Sequence, residues 1–242
     1  MSDPNQIAPE LSIAERRAAT LTAITAAANS ANRGGTKSGS TKSAEVTPVA
    51  VSKVQPDDRI KAMLAAGQTV FGENRVQEAQ SRWGERFAAQ RAALTLHLIG
   101  PLQSNKAEDA AALFDVIETI DREKLLSALV KACEKTGRPM PRLYVQVNTG
   151  EEPQKSGVLP AELPAFLKVM RETYGLEPEG LMCIPPAAEA ASPHFWFLKN
   201  LAHENGIEKL SMGMSADFET AVKLGASSVR VGSALFGARQ SA

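Results

Sequence analysis

The feature that most constrains this chain is an alternation. From residue 44 onward, short apolar and β-branched runs recur at 46–52, 69–72, 96–100, 116–119, 143–147, 180–184, 209–212 and 228–231. Segments with helical spacing lie between them, at 57–66, 75–89, 105–113, 122–136, 161–174, 193–205 and 216–224. Parallel strands cannot be joined by a tight turn and need a long crossover, usually a helix. Strand-like runs each separated by one helix-length segment therefore predict an α/β chain closed as a (β/α)8 TIM barrel. An open doubly wound sheet is the alternative, but no Gly-x-Gly-x-x-Gly turn follows the first strand. The 242 residues, 43% hydrophobic, suffice to fill one such barrel.

Ahead of the alternation, Leu11, Ala14, Ala18, Leu21, Ile24 and Ala28 recur at helical spacing and predict a leading helix over 9–31. A Gly/Ser/Lys-rich stretch from Asn32 to Ser40 then reads as a flexible linker. The expected division is an N-terminal helix and linker over 1–43 and a barrel over 44–242.

The first strand ends in an unusual residue. Val49, Val51 and Lys53 share one face at period two. A lysine on a buried apolar face is costly unless something uses it, and burial there would lower its pKa. A partly neutral amine is what an imine-forming nucleophile needs. The plainer alternative is a strand-end lysine that reaches solvent along its alkyl stem.

Barrel active sites lie at the C-terminal ends of the strands, and the unusual residues of this chain collect there. Gly72-Glu73-Asn74 ends the second strand, the run 100–106 follows the third, and Asn148-Thr149-Gly150 the fifth. Ile184-Pro185-Pro186 follows the sixth, Gly213-Met214-Ser215 the seventh and Gly232-Ser233 the eighth. Taken singly, several have structural explanations. Asn74 with Gln77 has capping-box spacing, Ser104 or Asn105 could start the next helix, and the prolines could stiffen a loop.

The last two loops say more. Ser215 can cap a helix beginning at Ala216, and Gly232-Ser233 offers close backbone approach plus a hydroxyl. Loops after strands seven and eight often hold a phosphate in such barrels, so a phosphorylated ligand is expected. Arg230 has the opposite parity to Val229 and Val231. If those valines pack under the helices, Arg230 points into the barrel mouth. The alternative for it is a strand-end salt bridge.

Other classes are disfavoured. The 27 basic and 27 acidic side chains cancel, so no basic surplus points to nucleic acid or an anionic membrane. Aromatic residues, at 5%, are too few for base-stacking platforms. His97, His194 and His203 share no metal spacing; His97 is expected to pack at the third strand and the other two to lie on helix surfaces. Glu151-Glu152 reads as a solvated loop pair. Cys133 and Cys183 are expected to be buried thiols in a reducing compartment. No apolar run is long enough to span a bilayer, and no secretory signal opens the chain. Arg16, Arg17 and nearby alanines hint at a transit peptide, but Asp3, Glu10 and Glu15 count against one. The expected location is the cytoplasm.

Seven motifs, in order, resemble one family: Val-Ser-Lys (51–53), Phe-Gly-Glu-Asn (71–74), His-Leu-Ile-Gly-Pro-Leu-Gln-Ser-Asn-Lys (97–106), Gly-Glu-Glu-Pro-Gln-Lys-Ser-Gly (150–157), Gly-Leu-Met-Cys-Ile-Pro-Pro (180–186), Leu-Ser-Met-Gly-Met-Ser-Ala-Asp (210–217) and Arg-Val-Gly-Ser (230–233). They are similar to those of the pyridoxal phosphate homeostasis proteins, the single-domain, alanine-racemase-like binders of pyridoxal 5'-phosphate (PLP). The resemblance implies a barrel like the alanine racemase N-terminal domain, bearing PLP and with no established reaction. It implies that Lys53 forms a Schiff base, Asn74 contacts the cofactor, Ser215, Gly232 and Ser233 hold the phosphate, and Arg230 faces the pyridine nitrogen. The implied role is to buffer PLP and pass it to apo-enzymes by transient contact, and we expect a monomer. This chain departs from the family at Arg75, where many members carry tyrosine, and at the long polar linker. Val54-Gln55 replaces the usual threonine-lysine, which weakens any relay of PLP through a neighbouring lysine.

A PLP enzyme such as an amino-acid racemase is the competing reading, and a cofactor-free barrel acting on a phosphorylated metabolite is a third. Arg230 cannot take up a proton from the pyridine nitrogen. Related alanine racemases also use an arginine there, so this alone does not decide. A two-base racemase, however, needs a second acid–base group, which those enzymes take from an added β-domain of the partner subunit. This chain stops shortly after its eighth strand, so no such domain is expected. Tyr144, inside a strand, and Tyr174, at a helix end, are not natural substitutes.

Overall fold

The computed structural model describes residues 11–31 and 46–238. The expected linker and both chain ends lie outside the described residues. Eight parallel strands close into a barrel in chain order. They are β1 Thr47–Val51, β2 Val70–Glu73, β3 Thr95–Leu98, β4 Val116–Ile120, β5 Arg142–Gln146, β6 Gly180–Met182, β7 Lys209–Met214 and β8 Ser228–Val231. β8 returns to pair with β1, with Val49 opposite Arg230.

The outer layer consists of α2 Asp57–Ala65, α3 Val76–Ala79, α4 Ala88–Arg91, α5 Ala107–Leu113, α6 Glu123–Thr136, α7 Leu163–Glu172, α8 Ala191–Glu204 and α9 Phe218–Lys223. A last turn, α10, spans Ser233–Phe236, and the leading helix α1 spans Ile13–Ala31 and packs on α9, α10 and α2. α1 begins at Ile13 rather than residue 9 because Ser12 and Glu15 form a capping box. The Glu15 carboxylate accepts the Ser12 N–H at 2.8 Å, and Ser12 Oγ accepts the Glu15 N–H at 3.3 Å.

Strand alternation sorts the side chains. Ala50, Phe71, Leu96, Leu98, Val229 and Val231 face outward into the main core beneath the helices. Partner residues on adjacent parallel strands share a face, so Val49 and Arg230, and Gly72 and His97, point into the barrel. Val116, Tyr144 and Met182 form a small apolar cluster apart from that core. The parity argument for Arg230 therefore holds.

The structure corrects several boundaries. β1 stops at Val51, so Lys53 lies in the turn beyond it and is half-buried, not on a buried strand face. The helix expected over 75–89 is three pieces, α3, a π-helical segment Gln80–Arg86 and α4. α9 begins at Phe218 rather than Ala216, because Asp217 Oδ1 accepts the Met214 N–H at 2.6 Å and holds the preceding turn open. Among the described residues, no helix is long and apolar enough to cross a membrane, and no His/Cys/Asp/Glu group could hold a metal ion.

Gly100, just past β3, is a close-approach position. A Cβ there would lie 2.2 Å from the backbone oxygen of Asn74. Gly100→Ala is expected to lower the unfolding free energy by about 1–3 kcal/mol, the usual cost of overpacking. Urea denaturation would show a lower midpoint at unchanged slope; an unshifted midpoint would mean that the two backbones are not in contact.

Candidate functional site

At the C-terminal mouth of the barrel lies a cavity of about 360 Å³. Lys53, Asn74, Ser215, Arg230, Gly232 and Ser233, the residues singled out from the sequence, all line it. Val51, Ile99, Ile184 and Met214 supply apolar wall. Larger cavities, of about 690 and 730 Å³, lie beneath α1 and at the N-terminal mouth, away from these residues.

The Lys53 turn is clamped from behind. Arg82, on the π-helical segment, donates from Nη1 to Ser52 O at 2.6 Å and from Nη2 to Gln55 O at 2.8 Å. These two carbonyls bracket Lys53 and Val54, and Val54 sits at φ +53°, uncommon for a β-branched residue. Arg82 is itself paired with the fully buried Glu73, whose Oε1 accepts from Arg82 Nη1 at 2.7 Å, Ser52 Oγ at 2.7 Å and Trp83 Nε1 at 3.0 Å. Trp83 is wedged between Phe71 and Phe87, with ring centroids 4.8 and 5.6 Å away. The widened helix lets the consecutive residues Arg82 and Trp83 both reach Glu73, in keeping with the tendency of π-helical turns to occur at functional sites.

The floor of the pocket is Arg230. It is 4% exposed, with Nη1 donating to Ser211 Oγ at 2.6 Å and Nη2 to Cys183 O at 2.8 Å. Glu118, inside the barrel, stands 3.8 Å from it and provides its counter-charge. Glu118 Oε2 accepts from Ser211 Oγ at 2.6 Å, and Oε1 meets His97 Nδ1 at 2.6 Å. Burial pushes the Glu118 carboxyl up, but the His97 hydrogen bond, the charge His97 carries when protonated, the Arg230 charge and the Ser211 hydroxyl outweigh it and hold the group below its ordinary value. Arg230 thus both faces the mouth and makes a strand-end ion pair.

The third element is the pairing of the last two loops. Ser215 does not cap α9; its Oγ accepts the N–H groups of Gly232 at 3.0 Å and Ala234 at 3.2 Å. These donors converge on one oxygen at the pocket rim. A Cβ on Gly232 would meet only Val51, its Cβ at 3.7 Å and its O at 3.9 Å, so a side chain there would be tolerated by the protein. Asn74 caps no helix either. Its Oδ1 is buried without a hydrogen-bond partner.

Other sequence expectations change. His97 is buried on β3, as expected, but is also the partner of Glu118. His194 is buried rather than on a surface, between Glu189 Oε2 at 3.1 Å and Thr149 O at 3.2 Å. Glu152 is paired with Lys155 at 2.5 Å instead of being free in solvent. Cys133 and Cys183 are buried free thiols, as expected. Sequence reasoning missed Glu73, Arg82, Glu118 and Ser211 as site support. Glu73 could have been found, since a carboxylate at the end of a buried strand demands a partner.

Comparison with known proteins agrees with the geometry. The family described as alanine racemase, N-terminal domain, matches residues 45–240. The pyridoxal phosphate homeostasis protein of Pseudomonas aeruginosa is 39% identical over 232 residues, covering 94% of this chain and 96% of that one. The chain belongs to the pyridoxal phosphate homeostasis protein family. The Escherichia coli K12 family member is 36% identical over 203 residues, 81% of this chain and 86% of its own. Among solved structures, PipY of Synechococcus elongatus with PLP bound is 36% identical, covers 93% of this chain and 100% of its own, and superposes with a TM-score of 0.74. An alanine racemase of Clostridium difficile, 15% identical with a TM-score of 0.63, covers 91% of this chain and 58% of its own and shares the fold alone.

Two predictions follow the two buried acids. Arg82→Met leaves Glu73 buried without its cation and is expected to cost about 3–5 kcal/mol. Adding Glu73→Gln should recover part of that loss in denaturant unfolding, and strictly additive losses would disprove the coupling. For Glu118, the folded-state value lies below the unfolded one. Its contribution is therefore complete above the unfolded carboxyl value and is lost as pH falls through the folded value. Glu118→Gln should flatten stability against pH in that acid window; an unchanged acid limb would show that Glu118 is not ionised in the fold.

Proposed function

We propose that this protein binds PLP in the mouth pocket through a Schiff base to Lys53. It then acts in vitamin B6 homeostasis as a buffer and carrier, without efficient turnover. When bound, the cofactor supplies an electrophilic aldehyde and an electron sink. The pocket residues suit such a ligand. Lys53 provides the amine, fixed at the end of a clamped turn. Asn74 offers a buried oxygen still lacking a partner. The Gly232 and Ala234 amides, with the Ser215 and Ser233 hydroxyls, form a neutral cradle for a phosphate at the rim. Arg230 sets a permanent cation on the floor, to face the pyridine nitrogen.

The observation that carries the absence of efficient turnover is the poverty of acid–base groups. Among the described residues lining the pocket, Lys53 and Arg230 are the charged side chains, and no Asp, Glu, His, Cys or Tyr stands with them. Arg230 cannot serve, because a guanidinium does not give up its proton. Tyr144 belongs to the opposite mouth, and burial, then the Glu118 and Glu179 charges, push its hydroxyl well above the usual range. Tyr174 lies against Glu123 on the outer layer. A two-base exchange at an amino-acid α-carbon lacks its second base here. An open pocket rimmed by Ser233 and Met214, both exposed, suits release to apo-enzymes in transient contact. We infer a monomer in the cytoplasm, consistent with two free thiols.

The purified protein should be yellow with PLP, and borohydride should fix the cofactor to the peptide containing Lys53. Lys53→Ala should abolish that adduct, and Gly232→Val should block phosphate binding more severely than Ser233→Ala. PLP-loaded protein incubated with L-alanine in deuterated water should incorporate almost no α-deuterium. An adduct surviving in Lys53→Ala would move the anchor to another lysine. Rapid deuterium incorporation with inversion would replace the carrier by a racemase.

A further inference from the structure

The N-terminal mouth of the barrel holds the cavity of about 730 Å³, and the proposed function makes no use of it. Its floor is polar. His97 reaches it from β3 with Nδ1 committed to Glu118, while the ring's Nε2 makes no hydrogen bond among the described residues. Ser228, 5% exposed on β8, lines the same floor, and its Oγ is buried without a partner. A buried hydroxyl left open beside an unoccupied ring nitrogen in one cavity is costly unless something meets it. The rim carries a single excess positive charge, Arg142, Lys199 and Lys209 against Glu179 and Glu208, with the histidines neutral. Glu179 is occupied by Arg142 at 3.5 Å and Lys209 at 2.5 Å, whereas Lys199 is exposed and has no ion-pair partner among the described residues.

We propose that this mouth is a second ligand site, taking a small oxyanion of the carboxylate or phosphate class, and that its occupancy is transmitted to the cofactor pocket along His97, Glu118, Ser211 and Arg230. The binding half stands on the cavity alone, and the transmission half rests on the PLP reading. An oxyanion on Nε2 needs a proton there. With Nδ1 already donating to the Glu118 carboxylate, binding therefore favours the imidazolium. The charged and titratable groups that face this ring or its mouth are Glu118 from β4, Tyr144 and Arg142 from β5, Glu179 just before β6, Lys199 and His203 from α8, Glu208 and Lys209 at the start of β7 and, beyond Ser211, Arg230 from β8. A protonated His97 draws on the Glu118 charge that otherwise compensates Arg230 at 3.8 Å. The Arg230 cation is then less compensated at the opposite mouth, where it faces the cofactor. PLP should be held more tightly, and by linkage PLP should tighten the anion by the same factor.

The test uses the full chain, with and without PLP, at constant ionic strength. Inorganic phosphate and acetate are titrated in turn against a chloride background. In the PLP-loaded form the phosphate cradle is already filled, so phosphate is read at the second site. The His97 imidazole resonances should shift saturably with one of the two anions, and which anion saturates first identifies the source class. Ser228→Ala and Lys199→Ala, neither of them in the cofactor pocket, should each weaken the anion, the former about tenfold. Both should leave PLP uptake without anion as in the parent protein. Saturating anion should lower the PLP dissociation constant by about fivefold or more. Unshifted His97 resonances, or shifts equal in parent and both variants, would overturn the site. Saturable binding with unchanged PLP affinity would overturn the transmission. If the chain takes up no PLP, the proposed function fails, and the titration at His97 still decides the site.

Discussion

The interaction on which the rest depends is the ion pair of Arg230 and Glu118 in the closed barrel. A parallel barrel of eight strands fills its interior with side chains, most often branched aliphatic ones. Here part of that interior goes to a charged chain, Arg230 with Ser211, Ser211 with Glu118 and Glu118 with His97. Removing two charges from water is costly, and mutual attraction offsets this only when the remaining hydrogen-bonding capacity is also met. That condition is satisfied. Both carboxylate oxygens of Glu118 have partners within 2.6 Å, and both terminal nitrogens of Arg230 are engaged. An arrangement of this kind is a poor way to gain stability and a good way to fix one cation in one place, at the bottom of a pocket.

A second buried acid–arginine pair stands on the other side of the pocket, less fully satisfied, since Glu73 Oε2 and Arg82 Nε are buried without partners among the described residues. Glu73 is fully buried at the end of β2 and neutralises Arg82, and Arg82 grips the carbonyls on either side of Lys53 and Val54. In each case a buried acid serves a buried arginine, and the arginine serves the pocket. One arginine forms the floor; the other holds the turn that presents the amine. Trp83 ties the second unit into the aromatic stack with Phe71 and Phe87, so the turn is referred to the main core rather than to a loop. This explains how a half-buried lysine beyond its strand keeps a defined position.

Much of this was legible in the sequence because it depends on local periodicity. Eight runs spaced by helix lengths give the barrel, and the parity of Arg230 against Val229 and Val231 gives the direction of its side chain. The six pocket residues were legible through motifs at strand ends. What was not legible is pairing at long range. His97 and Glu118 lie 21 residues apart, and Ser211 and Glu118 lie 93 apart. No spacing rule joins them before the barrel is closed. Three misreadings have local causes. Asp217 took the capping position expected of Ser215. A π-helical segment interrupted the helix over 75–89. β1 ended two residues before Lys53, so a period-two argument was carried past the strand that justified it.

The displaced role of Ser215 matters for how a ligand would enter. Its hydroxyl oxygen already gathers the Gly232 and Ala234 N–H groups, so those donors point at one locus before any phosphate arrives. Donors held in place by backbone lose little freedom on binding, which leaves more of their interaction energy as affinity. The hydroxyl itself can turn from acceptor to donor by rotating its hydrogen. Such a cradle exchanges an internal hydrogen bond for an external one without rearranging the chain. If a ligand is linked to Lys53 as proposed, its entry and release would be limited by that link and not by refolding of the rim.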